Sequence, residues 1–331
     1  MKKILCMCLA LSLLLCGCRQ GPQKYTAQRY DLFDTLIILT AYSDSRESFD
    51  AMASLAFAEF ERLPRLFDIY GDTGEGLARL NAQAGAGPQK TEPEVMQLLE
   101  LGQRGYVLTG GKVNIAMGAV LRLWSDARSA ALENPRQAAL PESAALREAA
   151  KHCGIEQLVL DSEAGTAELR DPDMRIDAGA VAKGFATGLV ADALRAAGYT
   201  GFILSAGGNV WAEGTPPDAE GWRVGVQSPD ESGRLLSTVT VSDCAVVTSG
   251  GYLRYFTVDG VQYHHIIDPE TLMPSDAVLS ATVICSDSGV ADLLSTACFM
   301  LPESQSAALI RKVDGARLIV LGKDGGLFEA P

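Results

Sequence analysis

The second half of the chain carries a succession of short β-rich segments, and this pattern limits the fold more than any other feature of the sequence. Turn residues separate the segments, and one long helical stretch, Ala180 to Ala197, interrupts them. A doubly wound fold would need a helix after each strand, so the pattern favours the α+β class. The predicted strands are Gln157–Asp161, Ala167–Arg170, Phe202–Ala206, Arg223–Gln227, Ser237–Val241, Ala245–Val247, Ser280–Cys285 and Ala316–Leu321, and the last two flank helices Val290–Met300 and Glu303–Val313.

The first half predicts mainly helices with one apolar face. Thr91 is a candidate N-cap for one of them, and Gly110-Gly111 ends it. About 305 residues follow the N-terminal segment without a linker or a repeat. We therefore expect one α+β unit of two intimately joined lobes, with mixed or antiparallel sheets and flanking helices. The predicted elements are strands Tyr30–Tyr42 and Val113–Met117 and helices Glu47–Leu66, Glu92–Thr109, Gly118–Ala131 and Glu142–Cys153.

The N-terminus is predicted to be a targeting segment. Lys2 and Lys3 precede an apolar run, Ile4 to Leu15, that is too short to span a bilayer. The run ends in Leu15-Cys16-Gly17-Cys18, which resembles the lipobox of bacterial lipoproteins. We expect residues 1–17 to be a signal peptide, residues 18–28 to be a lipidated Cys18 with a polar tether, and residues 29–331 to be the domain. An ordinary secretory signal without lipid is the alternative.

The net charge of the chain limits the partners that it can bind. Without residues 1–17 the chain has 26 basic against 41 acidic residues, a net charge of −15. Nucleic acid is an unsuitable partner for so acidic a protein.

The cysteines of the chain after Cys18 are too scattered for a zinc motif and lie in apolar stretches; they are Cys153, Cys244, Cys285 and Cys298. They are predicted to be buried thiols, although an extracytoplasmic location would permit a disulfide.

Two of the three histidines follow the strongest turn signal in the chain. Asp259-Gly260 separates two β-rich runs and predicts a hairpin. His264 and His265 lie at the end of its second strand, where neighbouring side chains point to opposite faces. At most one of them can therefore serve a given site. A purely structural pair remains the alternative.

Two glycine-containing segments could lie against a ligand. Arg175–Gly184 (RIDAGAVAKG) places Asp177 before a turn of small residues and Lys183 in the first turn of a helix. A lysine there opposes the helix dipole, so binding of an anion explains it better than helix stability does. Ser205–Asn209 (SAGGN) is either a ligand-binding bend or a plain turn.

The segment Ala291–Ala297 (ADLLSTA) offers only oxygen ligands. Asp292 and Thr296 are four residues apart and share one helix face, with Ser295 beside them. A carboxylate and two hydroxyls suit a hard cation such as Mg²⁺ rather than zinc. Hydroxyls bonded back to their own helix are the alternative. Tyr70, before a Gly- and Asp-rich loop, could stack on a planar ring.

Taken in order, these segments resemble the ApbE family of FAD:protein FMN transferases, and the resemblance covers nearly the whole chain after residue 28. No single motif is specific, but nine of them follow in register. They are YDLFDTLIILTAY, FDIYGDTGEGLARLN, KVNIAMGAVLRLW, RIDAGAVAKGFA, LSAGGNVWAEG, GWRVGVQSP, TSGGYLRYF, YHHIIDPET and ADLLSTA.

The resemblance implies an extracytoplasmic, Mg²⁺-dependent enzyme, lipid-anchored to a bacterial membrane. It would transfer FMN from its substrate FAD to a Thr or Ser hydroxyl of a client flavoprotein and release AMP. His265 would deprotonate or orient that hydroxyl. The implied Mg²⁺ ligands are the carbonyl of Ala180 and the side chains of Asp292, Ser295 and Thr296. The implied FAD contacts are Phe33, Tyr70, Asn114, Ile115, Ala116, Asp177, Lys183 and Ile266.

The sequence departs from the family pattern at four places. Asn114 and Ala116 stand where Asp and Thr are usual, Gly74 where Ser is common, and Thr271–Pro274 replaces Thr-Gly-x-Pro. None of them is a predicted metal ligand, so activity remains the main prediction. Two other functions stay open: Mg²⁺-dependent cleavage of FAD to FMN and AMP by water, and binding of flavin by a non-catalytic lipoprotein.

Overall fold

The structure is a computed structural model that describes residues 21–33, 35–71, 74–230, 232–252 and 254–331. Its centre is an eight-stranded antiparallel sheet in the order β1-β2-β6-β7-β10-β13-β14-β15. The strands of this sheet are β1 Gln23–Leu32, β2 Thr35–Ser43, β6 Phe202–Ala206, β7 Asn209–Glu213, β10 Cys244–Gly250, β13 Ser280–Cys285, β14 Arg317–Leu321 and β15 Leu327–Ala330.

Three smaller sheets accompany the central one. They pair antiparallel, as β3-β5-β4, β8-β9 and β11-β12. Their strands are β3 Gln89–Lys90, β4 Leu158–Asp161, β5 Thr166–Leu169, β8 Trp222–Gln227, β9 Leu235–Val241, β11 Tyr255–Val258 and β12 Val261–His264.

Helices cover one face of the central sheet. The main core lies between that face and the helices, and β2 contributes Ile37, Leu39 and Ala41 to it at every second position. On the other face the β8–β9 hairpin buries Trp222 against Ile284 and Ile319. The helices are α1 Arg46–Phe67, α2 Gly76–Ala82, α3 Pro93–Thr109, α4 Gly118–Glu133, α5 Ser143–Ala149, α6 Ala182–Ala196, α7 Ser288–Phe299 and α8 Glu303–Ile310.

A second packed region joins the two halves of the chain. Trp124 of α4 stacks on Tyr263 of β12 at 6.3 Å between ring centroids, and Phe256 of β11 completes the cluster. The Nε1–H of Trp124 donates to the carbonyl of Leu272 at 3.0 Å. The contacts of the Trp124 ring with Tyr263 and Phe256 fix the β11–β12 hairpin on α4. The predicted α+β class with antiparallel sheets and flanking helices is confirmed.

Several predicted elements differ from the structure. The single strand predicted from Tyr30 to Tyr42 is a hairpin of β1 and β2, because the chain turns at Phe33 with φ +52°. Residues 23–28, predicted as tether, belong to β1 and pair with β2. The helix predicted from Glu92 has no side-chain cap from Thr91, whereas Gly110 ends it in the left-handed conformation as predicted. The lipobox and Cys18 lie outside the described residues.

The cysteines of the described residues form no disulfide. Free thiols are present at Cys153, Cys244, Cys285 and Cys298. Cys285 faces the main core, whereas Cys244 packs on the β8–β9 side of the same sheet, so these two point to opposite faces and cannot pair.

Within the described part of the chain, no helix is both long and apolar enough to cross a bilayer.

Candidate active site

The site begins where α6 meets α7. Gly184, in the first turn of α6, touches α7 so closely that a Cβ there would overlap the carbonyl oxygen of Ser288 and the Cβ of Asp292. Only glycine allows this approach. The predicted segments RIDAGAVAKG and ADLLSTA are therefore brought together, as expected for a shared site.

Asp292 is the buried carboxylate of this contact, and 3% of its surface is exposed. Its Oδ2 accepts from the backbone N–H of Gly184 at 2.8 Å and from Nδ2 of Asn209 at 3.1 Å. Burial raises the pKa of Asp292, and the charge of Lys183 and the two hydrogen bonds oppose that rise. No described residue donates to Oδ1 at hydrogen-bond distance, so this oxygen is free to bind a ligand.

Three hydroxyl groups form a directed chain beside Asp292. The hydroxyl of Ser295 donates to the carbonyl of Asp292 at 2.9 Å. Ser249 lies 2.8 Å from Ser295, whose proton is already used, so Ser249 donates to Ser295. Thr296, 3.3 Å from Ser249, must then donate to Ser249. This direction leaves the lone pairs of Thr296 Oγ1 open.

The role of Ser295 as a metal ligand stays a prediction, and its hydroxyl already makes two hydrogen bonds. Ser295 is fully buried, and its hydroxyl both donates within the helix and accepts from Ser249. This is the back-bonding that the sequence left as an alternative, and it holds for Ser295. We call the following group the carboxylate frame, in which Ser249 is half-buried and the others are buried: Gly184, Asn209, Ser249, Asp292, Ser295 and Thr296.

The carbonyl of Ala180 lies just before α6. A helix would normally bond the N–H of Gly184 to it, but that N–H donates to Asp292 instead. Among the backbone hydrogen bonds of the described residues, none ends on the carbonyl of Ala180. This oxygen is thus available, as the prediction of a metal ligand requires.

Asp177 is held in place by a neighbouring loop and by a buried amide. Its N–H donates to the carbonyl of Ile115 at 2.8 Å, and its Oδ1 accepts from the N–H of Gly179 at 2.9 Å. Asn81 bonds both the N–H and the carbonyl of Ile176. Burial raises the pKa of Asp177, and the charge of Lys183 opposes it.

The segment Val113–Met117, predicted as a strand, is a turn with one parallel bridge from Met117 to Arg175. Asn114 Oδ1 accepts from the N–H of Ala116, and Asn114 Nδ2 donates to the carbonyl of Cys153. The side chains of Ile115 and Ala116 are buried in the core. The carbonyl of Ile115 positions Asp177, and the predicted contact of Asn114, Ile115 and Ala116 with FAD stays a prediction.

Lys183 connects the parts of the site. It lies in the first turn of α6, and its charge acts on Asp177, on Asp292 and on His265. No described acidic residue forms a salt bridge with Lys183. One cation thus stands within range of two carboxylates and a histidine from three separate segments.

The predicted hairpin at Asp259-Gly260 is confirmed. Both residues have positive φ, +49° and +81°, as a two-residue turn between β11 and β12 requires. His264, the last residue of β12, uses both ring nitrogens: Nε2 lies 2.8 Å from the carbonyl of Ser275, and Nδ1 accepts from the N–H of Ile266 at 3.2 Å. His264 is therefore a neutral structural residue, and burial lowers its pKa.

His265 keeps one ring nitrogen open. Its Nδ1 lies 3.2 Å from the carbonyl of Arg254, which can only accept, so Nδ1 carries the proton and Nε2 has a free lone pair. The surrounding protein desolvates the ring, and together with the charges of Lys183 and Arg254 this lowers the pKa of His265 to about 4. We call residues 254–267, with β11, β12 and both histidines, the histidine wall.

Ile266, Phe33 and Tyr70 differ in what they can offer a flavin. The side chain of Ile266 is buried, its N–H donates to His264 and its carbonyl accepts from Ser275, so Ile266 helps to position the histidine wall; its predicted contact with FAD stays a prediction. Phe33 is half-buried, edge-on to Phe60. Tyr70 is exposed, and the guanidinium of Arg122 lies 5.7 Å from its ring centroid.

Sequence reasoning missed Asn209, Ser249 and Arg254 as site residues. Asn209 is the last residue of the predicted SAGGN segment, but the sequence assigned its side chain no role of its own; the segment forms the turn between β6 and β7, with Gly207 and Gly208 at positive φ. Only the packing of β7 against α7 makes its amide part of the frame. A separate group could also hold a metal ion: in the described part of the chain, the ligand atoms of His152, Asp171 and Asp173 lie within 4.8 Å of one another.

Known proteins support one family. A curated protein of Treponema pallidum named FAD:protein FMN transferase is 32% identical over 96% of this chain and 90% of its own length. One of Klebsiella pneumoniae with the same name is 28% identical over 88% of both chains. The solved ApbE protein of Thermotoga maritima superposes with a TM-score of 0.83 at 26% identity, covering 93% of this chain and 97% of its own.

The flavin transferase ApbE of Vibrio cholerae has the same fold, with a TM-score of 0.79 at 23% identity over 93% of this chain and 96% of its own. The sequence model of the ApbE family matches residues 33–320. This range contains the carboxylate frame, the histidine wall and Lys183. The chain therefore belongs to the ApbE family, as its motifs predicted.

Proposed function

We propose that this protein transfers FMN from FAD to a Thr or Ser hydroxyl of a client flavoprotein. The single observation that carries the proposal is the contact of α6 with α7, in which the N–H of Gly184, next to Lys183, donates to the buried carboxylate of Asp292 at 2.8 Å. A pyrophosphate bound there would meet a cation, metal-binding oxygens and a base. The names of the related proteins support the same reaction.

In the proposed reaction the acceptor oxygen attacks the phosphorus of the FMN half of FAD. The bond from that phosphorus to the bridging oxygen breaks, and the bridging oxygen leaves as part of AMP. A phosphoester then joins FMN to the client, and the proton of the acceptor hydroxyl passes to the proposed base, His265. Positioning and neutralisation of charge supply most of the catalysis in such transfers.

The oxygens of the carboxylate frame fit a magnesium ion. Asp292 Oδ1 and Thr296 Oγ1, together with the carbonyl of Ala180 just before α6, form an all-oxygen set; Asp292 Oδ1 and the Ala180 carbonyl accept no hydrogen bond from the described residues, and Thr296 donates to Ser249 but keeps its lone pairs open. We propose these three as the protein ligands, with Ser295 supporting them. When bound, the ion would neutralise charge on the pyrophosphate oxygens.

His265 is the proposed base. Its lowered pKa, about 4, keeps the ring neutral at pH 7, so the lone pair of Nε2 is available to orient the acceptor hydroxyl or to take its proton. The Arg254 carbonyl holds Nδ1–H and thereby fixes the tautomer and the direction of the ring. Lys183 and Asp177 are proposed to bind FAD, and the exposed ring of Tyr70 to stack on the flavin or the adenine.

We further propose that Cys18 carries lipid and holds the enzyme on the outer side of a bacterial membrane. The support is the lipobox-like Leu15-Cys16-Gly17-Cys18 after a charged start and an apolar run. Intact mass of the membrane-extracted protein tests this. A lipid-sized increase that disappears in Cys18→Ala is expected, and an unmodified N-terminus at Cys18 or elsewhere would contradict it.

The reaction is tested with the soluble form, FAD, Mg²⁺ and a client that carries an acceptor threonine. A flavin-sized increase in the intact mass of the client, with one AMP per flavin, is expected. A client whose acceptor threonine is replaced by valine is the control. AMP release without any change in client mass would instead assign an FAD hydrolase, and tight FAD binding without AMP would assign a flavin carrier.

A further inference from the structure

The carboxylate of Asp292 is gripped on one side only. Both of its hydrogen bonds end on Oδ2, and the two donors come from different elements, the N–H of Gly184 in α6 and Nδ2 of Asn209 in β7. A terminal carboxylate torsion has no steep preference of its own. A single donor would leave the group free to rotate, whereas two donors on one oxygen fix its direction.

Asn209 is itself held rigidly. Only 1% of its surface is exposed, and its backbone pairs with Ala206 on one side and with Val247 on the other. The turn before it is anchored by the N–H of Thr248, which donates to the carbonyl of Gly208 at 3.2 Å. The amide therefore reaches Asp292 from the middle of the central sheet rather than from a flexible loop.

The choice of an amide also has a chemical reason. Asn209 donates a hydrogen bond without adding charge, so it does not compete with a cation for the carboxylate as a lysine or arginine would. Residues that hydrogen-bond a metal ligand typically change metal affinity 10- to 100-fold when they are removed. The buried position of Asn209 gives it the same opportunity.

We propose that Asn209 is a positioning residue of the metal site: its amide and the N–H of Gly184 hold Asp292 Oδ2, so that Oδ1 is presented to the cation. This inference rests on the proposed function, because it needs a divalent cation at Asp292. Asn209 does not touch the cation or the substrate. It acts through Asp292.

The test measures Mn²⁺ binding to the full-length protein in the presence of ADP, with free Mn²⁺ followed by electron paramagnetic resonance. Asn209→Leu keeps the size of the side chain and removes the donor. Its dissociation constant for Mn²⁺ should rise about 10- to 100-fold. Asn209→Thr, a shorter residue suited to a strand, should show a similar loss and serves if the leucine variant does not fold.

Thr282→Val is the matched control. Thr282 is equally buried in the same sheet, and its hydroxyl bonds Thr248 at 2.8 Å without reaching Asp292. The control should lose a similar amount of thermal stability and keep the wild-type Mn²⁺ affinity. If it loses the same affinity as Asn209→Leu, Asn209 has only a general structural role and the inference is overturned.

Asp292→Ala separates this inference from the proposed function. Wild-type protein that binds Mn²⁺, together with an Asp292→Ala variant that does not, places the cation at Asp292. If Asn209→Leu then binds as tightly as the wild type, the role of Asn209 is refuted while the metal site stands. If the wild type and Asp292→Ala bind alike, the cation is elsewhere, and both the metal site and the inference fail.

Discussion

In the carboxylate frame hydrogen bonds between its own groups hold the side chains, and only Asp292 Oδ1 and the lone pairs of Thr296 Oγ1 stay open, whereas in the histidine wall His265 keeps a ring nitrogen without a partner. Asp292 has two donors on one oxygen, and Ser295 both donates and accepts. In the wall, His265 has an exposed side chain although the surrounding protein desolvates part of its ring, and its Nε2 has no hydrogen-bond partner among the described residues. The two regions meet at Lys183, whose charge acts on both.

This difference indicates a division of work. Buried and fully bonded groups hold one geometry, as the binding of a small hard cation requires. Exposed groups can meet a second macromolecule, as the transfer to a client protein requires. This contrast supports the proposal that the cation binds at the frame and the acceptor hydroxyl at the wall.

The largest expected effect is the loss of the frame's carboxylate. Asp292→Ala should lower the rate of AMP release by about 10³-fold or more, because the variant loses its charged metal ligand. AMP release over a series of Mg²⁺ concentrations, measured by chromatography, checks this. Full activity in Asp292→Ala at ordinary Mg²⁺ would break the assignment of the cation to the frame.

The wall is tested by the same substitution at two adjacent positions. His265→Phe should reduce transfer to the client by about 10²- to 10⁴-fold, because the proposed base is lost. His264→Phe should leave the rate per folded molecule nearly unchanged. Single-turnover flavinylation below the melting temperature of both variants measures the contrast, and equal losses would show that the two histidines do not differ in role.

The His264 variant should instead lose stability. It leaves the carbonyl of Ser275 and the N–H of Ile266 without their partner, at a cost of about 1–3 kcal/mol. Because the folded protein lowers the pKa of His264, its neutral ring stabilises the fold fully above the unfolded pKa of about 6.5, and this contribution is lost as the pH falls below it. Urea unfolding at pH 7 and pH 5 should show that part of the pH dependence disappear in His264→Phe.

The protonation of His265 sharpens the contrast further. Its imidazole should titrate near pH 4 in NMR spectra, far below the ordinary value of about 6.5. Lys183→Met should raise that pKa, because a neighbouring positive charge is removed. A pKa of His265 near 6.5 in both proteins would show that the charge of Lys183 does not act on His265 and that His265 does not belong to the site.

The smallest effect is expected at the turn of the hairpin. Gly260 has φ +81°, so Gly260→Ala should cost about 1–2 kcal/mol of stability. The turn lies at the far end of the strand from His265, and the rate of transfer should not change. A large fall in rate with an unchanged melting temperature would show that the turn itself takes part in the reaction.

Local signals explain what the sequence predicted well. The Asp259-Gly260 turn, the end of α3 at Gly110 and the face shared by Asp292 and Thr296 depend on neighbours within a few residues. The turn at Phe33 escaped because a non-glycine residue adopts positive φ between two β-rich runs.

Long-range packing explains the rest. Ile115 and Ala116 lie in a family motif, yet the fold buries their side chains behind Asp177. Asn209 joins the frame through a contact with Asp292, 83 residues away. Spacing within one segment cannot reveal either result, because both depend on how the strands and helices come together.

The most direct measurement is the anomalous scattering of Mn²⁺ in a crystal grown with ADP. We predict a peak bound by Asp292 Oδ1, Thr296 Oγ1 and the carbonyl of Ala180, within reach of the ADP phosphates. A peak confined to the His152, Asp171 and Asp173 group, or one held by His265, would contradict the assignment of the cation to the carboxylate frame.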